Sequence, residues 1–172
     1  NINDSKIKIV PLGANIDFWP SKHEIKNIIS SRSNNRCKIL FVGVEWERKG
    51  ADIVIETCNK LYDSGFPIEL HIVGLKTIPI PLPNYAVNHG FINKMEIKGT
   101  NELSRIYKES HFLFVPSRGE AYGLVFCEAS AHGLPSISHS IGGIPTIIKN
   151  GINGELFEIG TSTDTFASYI KD

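Results

Sequence analysis

The sequence predicts one doubly wound α/β domain built on a parallel sheet. Three observations carry that reading. Short apolar runs rich in β-branched and aromatic residues recur at CKILFVG (37–43), IELHIVG (68–74), HFLFVPS (111–117) and LPSISHS (134–140). Helix-like amphipathic stretches alternate with them, which implies right-handed βαβ crossovers. The chain has 172 residues, about one domain's worth, enough to bury roughly 68–70% of its unfolded surface.

The elements follow in order. KIKIVPL (6–12) reads as a short strand broken by Pro11, and HEIKNIISSR (23–32) as an amphipathic helix. CKILFVG is a continuous apolar run ending in Gly, the pattern of a fully buried strand. KGADIVIETCNKLYDSG (49–65) is a helix with Ile53, Ile55, Cys58 and Leu61 on one side and Gly65 as its stop. IELHIVG is the second strand, TIPIPLPN (77–84) a proline-rich loop, and YAVNHGF (85–91) a short strand ending in a Gly turn. NELSRIYKES (101–110) is a helix with Leu103, Ile106 and Tyr107 inward, followed by the strand HFLFVPS. GLVFCEASAHG (123–133) is a helix, LPSISHS a strand, and IPTIIKNG (144–151) a helical turn stopped by Gly151. GELFEI (154–159) is a last short strand, and STDTFASYIKD (162–172) begins a final helix.

Composition narrows the function. Lys plus Arg and Asp plus Glu both number 18. A nucleic-acid-binding domain would show a basic excess. The three cysteines, Cys37, Cys58 and Cys127, are odd in number and widely spaced, so no disulfide framework or metal knuckle is expected. They read as reduced core thiols. No apolar run approaches the ~20 residues of a membrane span. The triplet Asn3-Asp4-Ser5 matches a glycosylation acceptor and is read as chance in a cytosolic chain. The histidines show no metal-binding spacing. His71, His89, His111, His132 and His139 are read as packing or loop residues, with His139 the nearest to a ligand.

In doubly wound folds, ligands sit beyond the carboxyl ends of the strands, near the switch point of strand order. The loops after Gly43, Gly74, Phe91, Val115 and Ser138 are therefore the places to search. In GVEWERKG (43–50), Arg48 and Lys49 stand just before a helix. Free N–H groups and the positive end of a helix dipole favour an anion there. The competing reading is a solvated basic pair on a turn. The spacing is not that of a P-loop.

The stretch PSRGEAYGLVFCEASAHGLP (116–135) holds two carboxylates, Glu120 and Glu128, in an otherwise small and apolar context. Glu120 falls in the strand-to-helix loop. Glu128 falls roughly 6–7 Å into the helix at 1.5 Å per residue. Gly123 allows close approach, and the N–H groups of Gly123, Leu124 and Val125 form an anion cradle. A carboxylate accepts two hydrogen bonds side by side, which suits a vicinal diol. The arrangement suggests a diphosphate with a hydroxyl-rich group at each end, the shape of a nucleotide-sugar. Two other readings stand beside it. Glu120 is a plain loop residue and Glu128 pairs with a buried cation such as Arg105 or Lys149. Alternatively, the two are a general acid and base.

PSRGEAYGLVFCEASAHGLPSI resembles the Pro-Ser, Glu, seven residues, Glu-Ala signature of retaining glycosyltransferases of family 4 (glycosyl transferases group 1), which have the GT-B fold. FVGVEWERKGADIVIE is similar to that family's phosphate loop. VNHGFI followed by a helix and HFLFVPS matches its nucleotide-base segment, and SIGGIPTIIKNGINGELFE its Gly-Gly-x-Pro-Glu…Gly-x-x-Gly segment. The resemblance runs from about residue 7 to about 170. It implies a Rossmann-like domain, the C-terminal, donor-binding half of a GT-B enzyme.

The resemblance also implies roles. Glu120 would contact hydroxyls of the donor sugar and Glu128 the ribose diol. Arg48 and Lys49 would hold the diphosphate in the loop opened by Gly43. Gly123, Leu124 and Val125 would offer N–H groups. Phe91 and Ile92 would touch the base, largely through backbone atoms. The implied activity is that of a retaining, metal-independent, hexosyltransferase-type enzyme with no cofactor beyond its nucleotide-sugar donor. Three positions depart from the pattern: Val44 replaces a frequent Arg, Thr146 the usual Glu after Gly-Gly-x-Pro, and Tyr122 the usual Phe. Residues 1–20 resemble the interdomain linker, and 21–172 the donor domain, truncated in its last helix. An N-terminal acceptor domain is then expected outside this chain, with any membrane contact made by that half, a cytoplasmic location, and a fragment inactive alone. The competing functions are a non-catalytic nucleotide-sugar binding module and a flavodoxin-like regulator. The regulator lacks its acidic phosphoacceptor, since the first core strand ends Val42-Gly43-Val44. A phosphorylase of the same fold would be much longer and carry a pyridoxal lysine.

Overall fold

The computed structural model describes residues 3–6, 8, 10–17 and 19–172, without the side chain of Asp4. Six strands form one parallel sheet in the order β3-β2-β1-β4-β5-β6. They are β1 Cys37–Val42, β2 Ile68–Val73, β3 Ala86–Asn88, β4 Phe112–Phe114, β5 Ser136–His139 and β6 Gly154–Phe157. The helices are α1 Lys22–Ser30, α2 Trp46–Lys49, α3 Ala51–Asp63, α4 Ile97–Glu109, α5 Leu124–Ala131, α6 Ile144–Ile147 and α7 Thr163–Lys171. Strand order reverses between β1 and β4, so the loops after these two strands open the crevice where such sheets bind ligands.

The core explains the elements. Ile39, Leu40 and Phe41 of β1 are fully buried, as a central strand covered on both faces requires. One face is covered by α3, through Val54, Cys58 and Leu61, with α7 beside it through Phe166 and Ile170. Leu103, Ile106 and Tyr107 give α4 its buried stripe. Helix starts are chemically marked. Ser21 and Glu24 form a reciprocal capping box on α1, and Ser162 accepts from the Thr165 N–H at α7.

Three expectations need correction. The strand expected over 6–12 is not seen in its described part. Lys6 closes a 3₁₀ turn over Asp4–Lys6, and Lys8 and residues 10–12 have no regular structure. Ile7 and Ile9 lie outside the described residues. The helix expected over 49–65 is two helices. Gly50 separates them with φ 76°, and a Cβ there would lie 2.3 Å from the Pro116 carbonyl oxygen. The loop leaving β4 passes so close that a straight helix cannot continue. Finally, α4 begins one turn before the expected 101, because Asn93 organises its entry. Its side chain accepts from the Met95 N–H and donates to Glu96.

A partly buried polar group joins β2 to the end of β3. His71 on β2 meets Glu69 through Nε2 at 2.7 Å, and its Nδ1 lies 2.8 Å from Nε2 of His89, just after β3. Burial holds both imidazoles below their ordinary pKa.

Candidate functional site

The site is assembled where the loops after β1 and β4 face each other. Lys49 ends α2 and Glu120 lies in the loop after β4. Their side chains form an ion pair, each only 12% exposed. Gly43 makes room for it: a Cβ there would fall 2.8 Å from Cγ of Lys49. The Glu120 loop is set from its other side by Gly142, in the left-handed region at φ 56°. A Cβ at that position would meet the Glu120 carbonyl oxygen at 1.8 Å. The Gly143 N–H donates to the Ala121 carbonyl at 3.0 Å, completing the fixation. The Gly-Gly pair therefore shapes the loop that presents Glu120.

Arg48 is occupied differently from Lys49. Its Nε and Nη2 donate to Glu45 at 2.9 and 2.6 Å, and Nη1 donates to the Gly119 carbonyl at 2.8 Å. The Glu45 contact raises the guanidinium pKa further. Arg48 thus braces the Glu120 loop while remaining 40% exposed. Arg118 is a structural clamp, bidentate on Asp52 and donating to the Glu47 carbonyl.

Gly123, at φ 98°, is the N-cap of α5 and offers no side chain to cap it, so the Leu124 and Val125 N–H groups have no intrahelical partner. Leu124 is 41% exposed there, and Val125 is half-buried. Five residues into α5, Glu128 is only 3% exposed. It pairs with neither Arg105 nor Lys149: Arg105 contacts Glu109, and Lys149 donates to the Pro145 carbonyl. Lys94, which sequence reasoning passed over, donates to both oxygens of Glu128 at 2.6 and 2.7 Å. Tyr107 donates to Oε2 at 3.1 Å. Burial and the nearby carboxylate push the Tyr107 hydroxyl pKa well above its usual value. No spacing rule links Lys94 to Glu128. Its one sequence signal was its place directly after the segment read as base-contacting.

Lys94, Tyr107 and Glu128 line one cleft of about 610 Å³, whose walls include α4 and residues 15–17 and 20. The N-terminal segment is tied to the site, since Tyr122 donates to the Leu12 carbonyl at 3.0 Å. Phe91 is 64% exposed and Ile92 is buried. Val44 is exposed, and Thr146 donates to the Gly143 carbonyl at 2.6 Å. His139 turns into the core against Phe166, with Nδ1 at 3.1 Å from the Ser117 carbonyl. Among the described residues no cluster of His, Cys, Asp and Glu has metal-binding geometry, and no helix is long and apolar enough to cross a membrane. Cys37, Cys58 and Cys127 are all free.

Fold and site together define a Rossmann-like α/β domain with two carboxylate–lysine pairs, Lys49–Glu120 at the loop that leads into α5 and Lys94–Glu128 on α5 itself. Residues 36–172 match Glycosyl transferases group 1, and the chain belongs to that family. It is similar to the D-inositol 3-phosphate glycosyltransferase of Mycolicibacterium smegmatis, 25% identical over 99% of this chain and 41% of the relative. An uncharacterised glycosyltransferase of Methanocaldococcus jannaschii is 32% identical over 73% of this chain and 35% of its own length. Among solved structures, the sucrose-phosphate synthase of Thermosynechococcus elongatus superposes with a TM-score of 0.73, 21% identity, 95% of this chain and 42% of the synthase. The Anabaena protein HepE, in complex with UDP and glucose, gives a TM-score of 0.63, 18% identity, 88% of this chain and 42% of HepE. The chain thus spans well under half the length of these relatives.

Proposed function

We propose that this chain is the donor-binding half of a retaining glycosyltransferase, which takes a sugar from a nucleoside diphosphate sugar and passes it to an acceptor. The observation that carries the reading is the arrangement around α5. Lys49 and Glu120 meet across the switch point in the loop before the Gly123 N-cap, and the buried Glu128 stands on the fifth residue of the helix that follows. The diphosphate lies at that N-terminus, where unpaired N–H groups and the helix dipole favour an anion. Glu120 accepts from the sugar hydroxyls and Glu128 from the ribose. Lys49 stabilises the negative charge that grows on the leaving diphosphate, the electrostatic role such sites need. Phe91 and Ile92 border the base. No metal and no further cofactor enter this scheme.

HepE, whose structure holds UDP and glucose, is consistent with this ligand class. Residues 1–20 are proposed as the linker from an acceptor-binding half, and 21–172 as the donor domain. Met95 and Ile97, 93% and 83% exposed at the rim of the cleft, are apolar surface that such a half would cover. A titration of the protein against UDP, GDP, ADP and their sugars tests the reading. Micromolar to millimolar binding of one nucleotide, tightened by its sugar, is expected. Absence of binding to all of them would falsify it. Transfer by the intact protein, and none by residues 1–172 alone, separates an enzyme half from a binding module.

A further inference from the structure

We propose that Lys94 is a latch on the ribose site: its ammonium occupies the Glu128 oxygens and yields them when a ribose diol binds. The inference rests on the nucleotide reading of the site and extends it to a residue that sets ribose selectivity. A carboxylate offers about four lone-pair positions. Lys94 takes one on each oxygen, at 2.6 and 2.7 Å, and Tyr107 takes a second on Oε2 at 3.1 Å. About one position is left, on Oε1. A vicinal diol needs two, side by side, so it cannot engage Glu128 fully while Lys94 stays.

The two donors differ in how freely they can leave. Tyr107 is 1% exposed inside α4 and stacked on His132, with ring centroids 5.1 Å apart. It is a fixed part of the wall. The Lys94 side chain is 38% exposed, in the loop between β3 and α4. The backbone beneath it is held: the Lys94 carbonyl accepts from Thr100 at 3.0 Å, and the Asn93 side chain spans it to bond the Met95 N–H and the Glu96 carboxylate. Opening is therefore a side-chain rotation, with no loop movement. A half-exposed lysine loses little on returning to water, whereas Glu128, 3% exposed, needs a replacement donor at once. The two ribose hydroxyls supply it. A ligand lacking one of them leaves an oxygen for which Lys94 goes on competing.

The test uses the intact protein and the nucleoside diphosphate it binds among UDP, GDP and ADP, with the 2′-deoxy form of each. Lys94→Met removes the competing donor. It is expected to bind the ribonucleotide about tenfold tighter and to widen the ribo/deoxy ratio by a similar factor, the worth of one hydrogen bond to a charged acceptor. Lys94→Arg places a planar fork on the carboxylate that releases less readily. It is expected to weaken the ribonucleotide and narrow the ratio. Lys94→Met removes the cation beside a buried carboxylate and Lys94→Arg keeps one, so both variants are titrated at pH 7 and pH 9, the higher pH favouring an ionised carboxylate. Opposite shifts around the wild type support the latch, and they remain readable if one variant melts lower. If Lys94→Met weakens the ribonucleotide at both pH values while Lys94→Arg preserves it, Lys94 supports the ribose and the latch is wrong. If Glu128→Gln collapses the ribo/deoxy ratio and neither Lys94 variant moves it, the latch alone fails. If no nucleotide binds the wild type, the latch fails together with the nucleotide reading.

Discussion

Charge pairing organises the site residue by residue, and it changes what each substitution should do. Lys49 and Glu120 are each other's partners, at 12% exposure apiece. Lys49→Ala therefore removes the cation proposed to face the phosphates and also strips Glu120 of its counter-charge. Diphosphate affinity should fall by about 1.5–3 kcal/mol, the worth of hydrogen bonds to charged groups. Affinity for the bare nucleoside should hold. Equal losses for both ligands in calorimetry would place Lys49 away from the phosphates. The two glutamates should separate in the same way. Glu128→Gln turns one accepting oxygen into a donor, so it should weaken nucleoside diphosphate and nucleotide-sugar alike. Glu120→Gln should leave the diphosphate nearly untouched and weaken only the sugar-bearing ligand, by about 1.5–3 kcal/mol. If Glu120→Gln cuts the diphosphate as deeply as Glu128→Gln does, the order of groups along the ligand is reversed. Arg48 carries a smaller expectation, because Glu45 already holds two of its nitrogens. Its bond to the Gly119 carbonyl makes it a brace for the Glu120 loop.

The elements decide where those residues point, and the glycines between them carry most of the decision. Gly142→Ala should show this. An alanine in the left-handed region costs about 1–2 kcal/mol by itself. At Gly142 the added Cβ would also meet the Glu120 carbonyl oxygen, forcing the loop away. Gly151, at φ 70° with nothing within 4 Å, is the matched control. Both alanine variants should melt lower, Gly142→Ala by more, and only Gly142→Ala should lose the sugar-dependent part of the affinity. Identical melting and binding in the two would mean that Gly142 does not set the loop. The same comparison shows how much was legible in the sequence. Strands with continuous apolar runs, such as CKILFV and IELHIV, announced themselves because a parallel sheet buries both faces. Glu120, Glu128 and Gly123 stood out as polar or flexible positions in an apolar context. The break at Gly50 was hidden because its cause is the Pro116 backbone, 66 residues away. The early start of α4 was masked by Gly99, a poor helix former in the first turn. The pairing of Lys94 with Glu128 was hidden for the same reason as the Gly50 break: it is set by packing, with no sequence period to mark it.

Across the whole molecule, the buried histidines tie folding to pH. His71, His132 and His139 are 8%, 4% and 1% exposed, and burial is the first cause holding each below the ordinary imidazole pKa. The partners oppose that shift: Glu69 beside His71, and the carbonyls bonded by His132 and His139, favour the charged rings, and burial outweighs them. Nδ1 of His132 lies 2.8 Å from the Glu128 carbonyl, which can only accept, so the proton sits on Nδ1 and Nε2 accepts from Ser104. Nε2 of His139 is buried with no partner among the described residues, so a proton there would be an unpaired buried charge. On unfolding, each ring returns to about 6.5. Between the lowered folded value and 6.5 the unfolded chain holds more protons than the folded one, so stability rises with pH in that window. The contribution is complete above about pH 6.5 and is lost as the pH falls through the folded values. Each histidine supplies at most about 1.4 kcal/mol per pH unit. Carboxylates whose pKa values are lowered by ion pairs, among them Asp52, Glu109 and Glu45, act at lower pH, below their ordinary values near 4. The expected urea midpoint is therefore level from pH 8 to 7 and falls from 6.5 towards 5. His139→Gln removes one of these buried rings, while His89 and His111, also lowered by burial, remain. The variant's midpoint should start lower at pH 7.5, since the His139 ring packs on Phe166 at 5.7 Å, and then fall less steeply than the wild type. A wild-type midpoint that stays level or rises between pH 6.5 and 5 would show that these rings accept protons in the folded state as readily as in water, against the burial that the fold imposes on them.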